Sequence, residues 1–233
     1  GYEQKYQNDK ITIYQADCMK MLPQIPDKYY QLCIVDPPYG IGAPRLKWEA
    51  SSGAKIRCRN PFSGSGKLKN RYLNKSSFDW DDCPPEEHYF KELRRISENQ
   101  IIWGGNYFPL PPSRCVVCWD KCQPWTNFSQ WEMAWTSFGS PASLFRYDVR
   151  GNGIENKIHP TQKPVALYQW LLKNYAKPGD KILDTHGGSC SIAIACDIMG
   201  FDCDIYEIDA DYYKAAVERF ERHKQQTVLE FSA

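Results

Sequence analysis

The apolar positions of this chain fall into short runs separated by helical periods. Ile11–Gln15, Leu32–Val35, Gln100–Trp103, Cys115–Trp119, Glu132–Thr136, Lys181–Leu183 and Asp202–Tyr206 are rich in β-branched and aromatic residues and are bounded by polar or turn residues, which predicts seven strands. Between several of them the period changes to that of a helix. In Ser191–Met199 the apolar residues Ile192, Ala195, Cys196 and Met199 lie at i, i+3, i+4 and i+7, and Gly200 stands where a helix stops. Tyr213, Ala216, Val217 and Phe220 repeat that spacing in Asp211–His223. Leu167, Trp170, Leu171 and Tyr175 form the stripe of Pro164–Tyr175, with Pro164 suited to a first turn. Pro85–Ile96 is a fourth candidate helix. Strands alternating with helices predict an α/β fold around a mostly parallel sheet.

Ala43–Ser77 breaks this rhythm. It has no apolar period, is rich in Gly, Ser, Asn, Lys and Arg, and reads as a long loop inserted in a single domain spanning 1–233. Total charge is only +1, yet the segment carries Arg45, Lys47, Lys55, Arg57, Arg59, Lys67, Lys69, Arg71 and Lys75 against one acid, Glu49. It therefore holds +8 and leaves −7 on the rest of the chain. A basic block on an acidic body points to a polyanionic partner, the alternative being a solvated loop. A chain of 233 residues, 42% of them hydrophobic, can bury a real core. No run approaches the roughly 20 apolar residues of a membrane span. No secretory signal is visible, so the ten cysteines read as reduced thiols of a cytoplasmic protein.

Two stretches carry chemistry. In "KILDTHGGSCS" (Lys181–Ser191) a strand ends in Asp184, a Gly187-Gly188 turn follows, and a helix begins. Glycines let backbone approach a ligand, and the helix N-terminus offers free N–H groups. The next strand ends in Tyr206-Glu207, where an acid can hold both hydroxyls of a ribose. The unit reads as a site for a ribonucleoside-bearing cofactor, or else as an ordinary βαβ turn. The second stretch is "QLCIVDPPYGIG" (Gln31–Gly42), in which a strand delivers Asp36, Pro37, Pro38 and Tyr39. An exocyclic amine on a nucleobase is a poor nucleophile because its lone pair is delocalised into the ring. Acceptors placed on its two N–H groups free that lone pair. Asp36 and the Pro37 carbonyl, fixed by the prolines, supply two acceptors, and Tyr39 supplies a ring to stack on an extruded base.

These motifs, in this order, resemble the S-adenosylmethionine-dependent DNA amino-methyltransferases, in the permuted β group that places the catalytic motif before the cofactor motif. "HPTQKPVAL" (His159–Leu167) is similar to the family's segment before the cofactor strand, and "QAD" with Asp17 to its acid near the adenine. "IIWGGNYF" (Ile101–Phe108), "VVCWDK" (Val116–Lys121) and "EMAWTSF" (Glu132–Phe138) resemble its remaining strands. The resemblance covers nearly all of Ile11–His223. It implies a Rossmann-like seven-stranded methyltransferase sheet with one antiparallel strand and helices on both faces. It further implies S-adenosylmethionine bound by Asp184, Gly187, Ser189 and Glu207, with Asp17, Thr161, Lys163 and His186 nearby. His186 stands where the family commonly has an aromatic beside the methionine part.

Aspartate heading Pro-Pro-Tyr is typical of the family's adenine N6 enzymes, and a serine there of cytosine N4 enzymes. Cytosine C5 chemistry needs a Pro-Cys dipeptide, which this chain lacks. The implied activity is thus site-specific methylation of adenine N6 in double-stranded DNA. The rivals are cytosine N4, RNA or a free base as acceptor, and a non-catalytic DNA-binding module on the same scaffold. The resemblance admits a cognate restriction endonuclease and a homodimer; the sequence identifies neither.

Cys115, Cys118 and Cys122 suggest a metal spacing, but i and i+3 on a strand point to opposite faces, so they read as buried thiols and no metal is expected. His159 is either a lone loop histidine or part of the site. Asn106 reads as a turn cap. Trp119, Trp131 and Trp135 read as core, and Trp125, in a polar loop, as a weak candidate for base contact.

Overall fold

The computed structural model describes residues 1–39, 85–123, 129–148, 158–159 and 162–231, with side chains described to residue 226. Among the described residues nine strands join one sheet, in the order β1-β2-β9-β8-β3-β4-β6-β5-β7. They are β1 (Gln4–Gln7), β2 (Ile11–Gln15), β3 (Tyr30–Val35), β4 (Ser97–Trp103), β5 (Val116–Asp120), β6 (Trp131–Thr136), β7 (Ser143–Arg146), β8 (Lys181–Asp184) and β9 (Asp202–Glu207). The helices are α1 (Cys18–Met21), α2 (Glu87–Ile96), α3 (Val165–Tyr175), α4 (Ser191–Met199) and α5 (Ala210–Phe231). No helix among the described residues is long and apolar enough to cross a membrane.

Each of the seven expected strands is present, within a few residues of its predicted limits. The count, however, is nine rather than seven, and two strands rather than one run antiparallel, β1 against β2 and β6 against β4 and β5. The two additions are edge strands. β1 is Gln-Lys-Tyr-Gln and almost wholly exposed, and β7 alternates between half-buried and exposed positions. An edge strand has no obligation to bury side chains, so neither leaves an apolar run in the sequence.

Inside the sheet, period two sorts side chains between two cores. Leu32 and Ile34 of β3, Ile101 and Trp103 of β4, and Cys203 and Ile205 of β9 face α3, α4 and α5. Cys33, Val35, Ile102 and Tyr206 face the other way, against Tyr89, Phe90 and Leu93 of α2 and Cys18 of α1. Gly200 ends α4 in the left-handed conformation, at φ 78°, as its position in the sequence predicts.

Strand direction decides where chemistry can gather. β2, β9, β8, β3 and β4 are neighbours and run parallel. Their carboxyl ends therefore release Asp17, Glu207, Asp184, Asp36 and Gly104 along one edge. In open α/β sheets that edge is where ligands bind. β6 runs backwards, so its first residues reach the same edge, and Glu132 lies opposite Trp119 near the end of β5.

Candidate active site

A cavity of about 460 Å³ opens at this edge. One wall is the turn Thr185–Ser189. Gly187 is packed so tightly that a Cβ there would lie 2.6 Å from Ile205 Cγ2. Its N–H donates to the Tyr206 carbonyl at 2.8 Å. Gly188 follows at φ 50°, a conformation that favours glycine. The turn is held from both sides. Glu207 Oε2 accepts from the Gly188 N–H at 2.7 Å and Oε1 from the Asp209 N–H at 2.9 Å. From α5, Arg219 Nη1 donates to the Ser189 carbonyl at 2.8 Å and to Ser191 Oγ at 2.9 Å.

Glu207, His186, Gly187, Ser189, Asp17 and Lys163 all line the cavity. Burial pushes the Glu207 carboxyl up to about 7 despite the backbone N–H groups that donate to it. Burial pushes the His186 imidazole down to about 4, so the ring is neutral at ordinary pH. It shares a 2.9 Å hydrogen bond with Thr185 Oγ1 through Nδ1 and meets Tyr89 edge-on. Asp17 caps α1, accepting from the Met19 N–H at 3.0 Å. Asp184 is placed differently from the reading above. It is 1% exposed, sits beneath the cavity wall rather than in it, and accepts from the His186 N–H at 2.9 Å. Its carboxyl is raised by burial to about 7. His159 is buried against Tyr212, with ring centres 4.4 Å apart, and also lines the cavity. Thr161 lies outside the described residues.

Asp36 and Pro38 form the facing wall. Tyr39 hooks back, its hydroxyl donating to Asp36 Oδ1 at 2.6 Å. Its ring stacks on Tyr107, with centroids 4.8 Å apart and planes 13° from parallel. Gly104 makes this packing possible. It is left-handed at φ 71°, and a Cβ there would run into the Tyr39 ring. Gly104→Ala is therefore expected to destabilise the fold by at least about 2 kcal/mol. Thermal unfolding should show this as a loss of about 5 °C or more.

Asp36 Oδ2 is engaged by the Lys163 ammonium, which also lies 3.2 Å from Glu132 Oε2. Glu132 in turn pairs with Lys121. Burial alone would push Glu132 up, but the Lys163 and Lys121 charges outweigh it and hold its carboxyl down at about 2. Burial likewise disfavours the Lys163 ammonium, and Asp36 and Glu132 reverse this, so its pKa is raised.

The sequence reading did not single out Glu132, Arg219, Tyr107 or Gly104 as parts of the site. Signals existed for two of them. Glu132 is an acid opening an apolar strand, and Arg219 is a cation beside the apolar stripe of α5. Among the tryptophans, Trp119 and Trp135 are buried, but Trp131 is 53% exposed at the start of β6 and is not core. Cys115 is buried, whereas Cys118 is half-buried and Cys122 exposed, so the buried-thiol reading holds for Cys115 alone. Asn106 lies on a short 3-10 turn, Gly105–Tyr107. The basic segment 43–77 and Trp125 lie outside the described residues.

A family described as DNA methylase matches residues 102–218. The type II methyltransferase M.BglII of Bacillus subtilis is 24% identical over a stretch covering 74% of this chain and 58% of the relative, so the chain spans little more than half of that relative's length. Two solved structures share the fold. The PvuII DNA methyltransferase, specific for cytosine N4, superimposes with a TM-score of 0.59 at 14% identity, covering 94% of this chain and 90% of that one. M1.HpyAVI in complex with SAM gives a TM-score of 0.53 at 16% identity, covering 90% and 99%.

Proposed function

The chain belongs to the N6/N4 DNA methylase family, and from that premise we propose that it transfers a methyl group from S-adenosylmethionine to the N6 amino group of an adenine flipped out of duplex DNA. The observation that carries this reading is that the Gly187-Gly188 turn with Glu207, and Asp36 with Pro38, wall one and the same cavity.

The residues fit the donor. A cavity of about 460 Å³ falls within the roughly 300–1,000 Å³ of small-molecule sites. A buried carboxylate, Glu207, and a second one, Asp17, suit ribose and adenine polar groups. The neutral His186 and the rings of Tyr89 and Tyr168 add no positive charge to the lining, and the lining cation Lys163 is paired with Asp36 and Glu132, so its charge is offset rather than set against a sulfonium. When bound, S-adenosylmethionine supplies a methyl carbon on a sulfonium, whose C–S electron pair stays on sulfur as the bond breaks. The protein's part is to prepare the acceptor. Asp36 and the Pro37 carbonyl take the two N–H groups of the amine and turn its lone pair toward the methyl carbon. Tyr39 and Tyr107 lie outside the cavity lining, with Tyr39 covered by Tyr107; the exposed ring of Tyr107 is the one proposed to meet the extruded base. Once the N–C bond has formed, the nitrogen sheds one proton, with Asp36 the first acceptor on its way to solvent. The basic residues Arg45, Lys47, Lys55, Arg57, Arg59, Lys67, Lys69 and Arg71 are proposed to neutralise DNA phosphates.

The cytosine N4 reading rests on the same amine chemistry and on the likeness to the cytosine-N4-specific PvuII enzyme. Radiolabelled donor, duplex DNA and the purified chain distinguish the two. Label in N6-methyldeoxyadenosine after digestion to nucleosides is the expected result. Label in N4-methyldeoxycytidine would reassign the base, and no label in DNA would overturn the proposal.

A further inference from the structure

Lys163 was expected beside the donor, and it does line the cavity, but its ammonium is committed elsewhere. The side chain is 2% exposed, and its charge lies between Asp36 Oδ2 and Glu132 Oε2. It also sits over the Trp103 ring, 5.2 Å from the centroid. We propose that Lys163 is a positioning residue for the methyl acceptor, acting through Asp36 and itself held in place by Glu132. This inference rests on the reading of Asp36 given above.

A carboxylate at a strand end can turn about its last bond, and an acceptor that turns cannot hold an amine in an attacking geometry. Here both oxygens are tied, Oδ1 by the Tyr39 hydroxyl at 2.6 Å and Oδ2 by Lys163. Together they fix the plane of the carboxylate. Two ionised oxygens offer about four lone-pair positions, so fixing the plane still leaves acceptor capacity on the cavity side. Asp36 is reachable there, with its side chain 15% exposed and in the cavity wall.

Lys163 needs its own anchor. Carried on the chain just before α3, it could swing with that segment. Glu132 arrives from the antiparallel strand β6, and its Oε2 lies 3.2 Å from the ammonium. Lys121, at the end of β5, holds the other oxygen of Glu132. The result is a row of alternating charges, Asp36, Lys163, Glu132 and Lys121, running from the cavity across the sheet edge. A row of this kind, buried at Lys163 and half-buried at the other three, is costly unless every member is paired, and each of these four is.

The test is a set of single-turnover methylation rates with donor and DNA affinities measured alongside. Lys163→Met is expected to slow the chemical step by about 10-fold or more, with donor and DNA dissociation constants within about twofold of wild type. Loss of donor binding in Lys163→Met would return the residue to the cofactor and overturn the inference. Asp36→Ala and the double variant Asp36→Ala/Lys163→Met are expected to react at the same residual rate, because a residue that acts only through Asp36 has nothing left to position. Additive losses would overturn it. If Lys163→Met does not fold, Lys163→Met/Glu132→Gln removes the cation together with one of its anions, and the same comparison is made on that pair. Wild-type protein that methylates no DNA would sink the proposed function. Wild-type activity with an unimpaired Lys163→Met would sink only the role of the lysine.

Discussion

Replacing Asp36 with alanine is expected to lower the rate of methyl transfer by about 10²-fold or more while the affinity for the methyl donor stays within about twofold of wild type. The magnitude follows from comparable sites, where loss of one preorganised hydrogen-bonding group at the reacting centre costs about 10²–10³ in rate. The selectivity follows from placement. The donor's proposed partners, Gly188, Ser189 and Glu207, are anchored to each other, to Asp209 and to Arg219, and none of those bonds involves Asp36. The substitution does leave Lys163 with Glu132 as its remaining carboxylate, so some loss of stability is expected. Asp36→Asn separates the two effects. It keeps one oxygen acceptor of the same reach while losing the charge and turning the other acceptor into an NH2 donor, and should retain more activity than alanine. Single-turnover kinetics with calorimetric donor titration decides the matter. An alanine variant that reacts at near wild-type rate would remove Asp36 from the mechanism.

The particular residues show what the sequence could and could not reveal. β3, β4 and β8 were legible because strands buried on both faces carry apolar runs, Leu32–Val35, Ile101–Trp103 and Ile182–Leu183. The same logic hides β1 and β7, whose edge positions ask little of their side chains. Asp36 and Glu207 drew attention in the sequence because each is a carboxylate at the tip of a strand, and the structure sets both in the wall of one cavity. The partners of those residues were not legible, because partnership here is a matter of strand direction. Glu132 meets Lys163 only since β6 is inserted backwards between β4 and β5. Nothing local in Glu132–Phe138 states that reversal. Tyr107 is similar, since its contact with Tyr39 depends on a left-handed Gly104 and on β3 lying next to β4. Asp184 shows the opposite case. Its position at a strand tip suggested a ligand contact, but the first turn after the strand folds over it and makes it the acceptor for the His186 N–H.

Glu207 gives the second large effect, and it carries a pH signature. Glu207→Ala is expected to weaken donor binding by roughly 1–3 kcal/mol, or about 5- to 150-fold, through loss of charge-assisted hydrogen bonds to the ribose hydroxyls. Glu207→Gln should fall between, keeping one acceptor oxygen without the charge. In the wild type the carboxyl titrates at about 7, raised from 4.5 chiefly by burial. The ionised form is the better acceptor for the hydroxyls and the better match for a cationic donor. Donor affinity should therefore rise with pH through about 7 and level off above it, and the glutamine variant should lose that rise. Stability of the donor-free protein moves the other way. A carboxyl whose pKa is raised on folding binds more protons in the native state than in the unfolded one between about 4.5 and about 7. Its favourable contribution is complete below that window and is lost as pH climbs through it. Asp184, raised to about 7 as well, adds to the stability slope but lies beneath the cavity wall. Calorimetric titration of the donor from pH 5.5 to 8.5, paired with thermal unfolding over the same range, checks both signs. A donor affinity that is flat in pH and unchanged in Glu207→Ala would place the donor away from this turn.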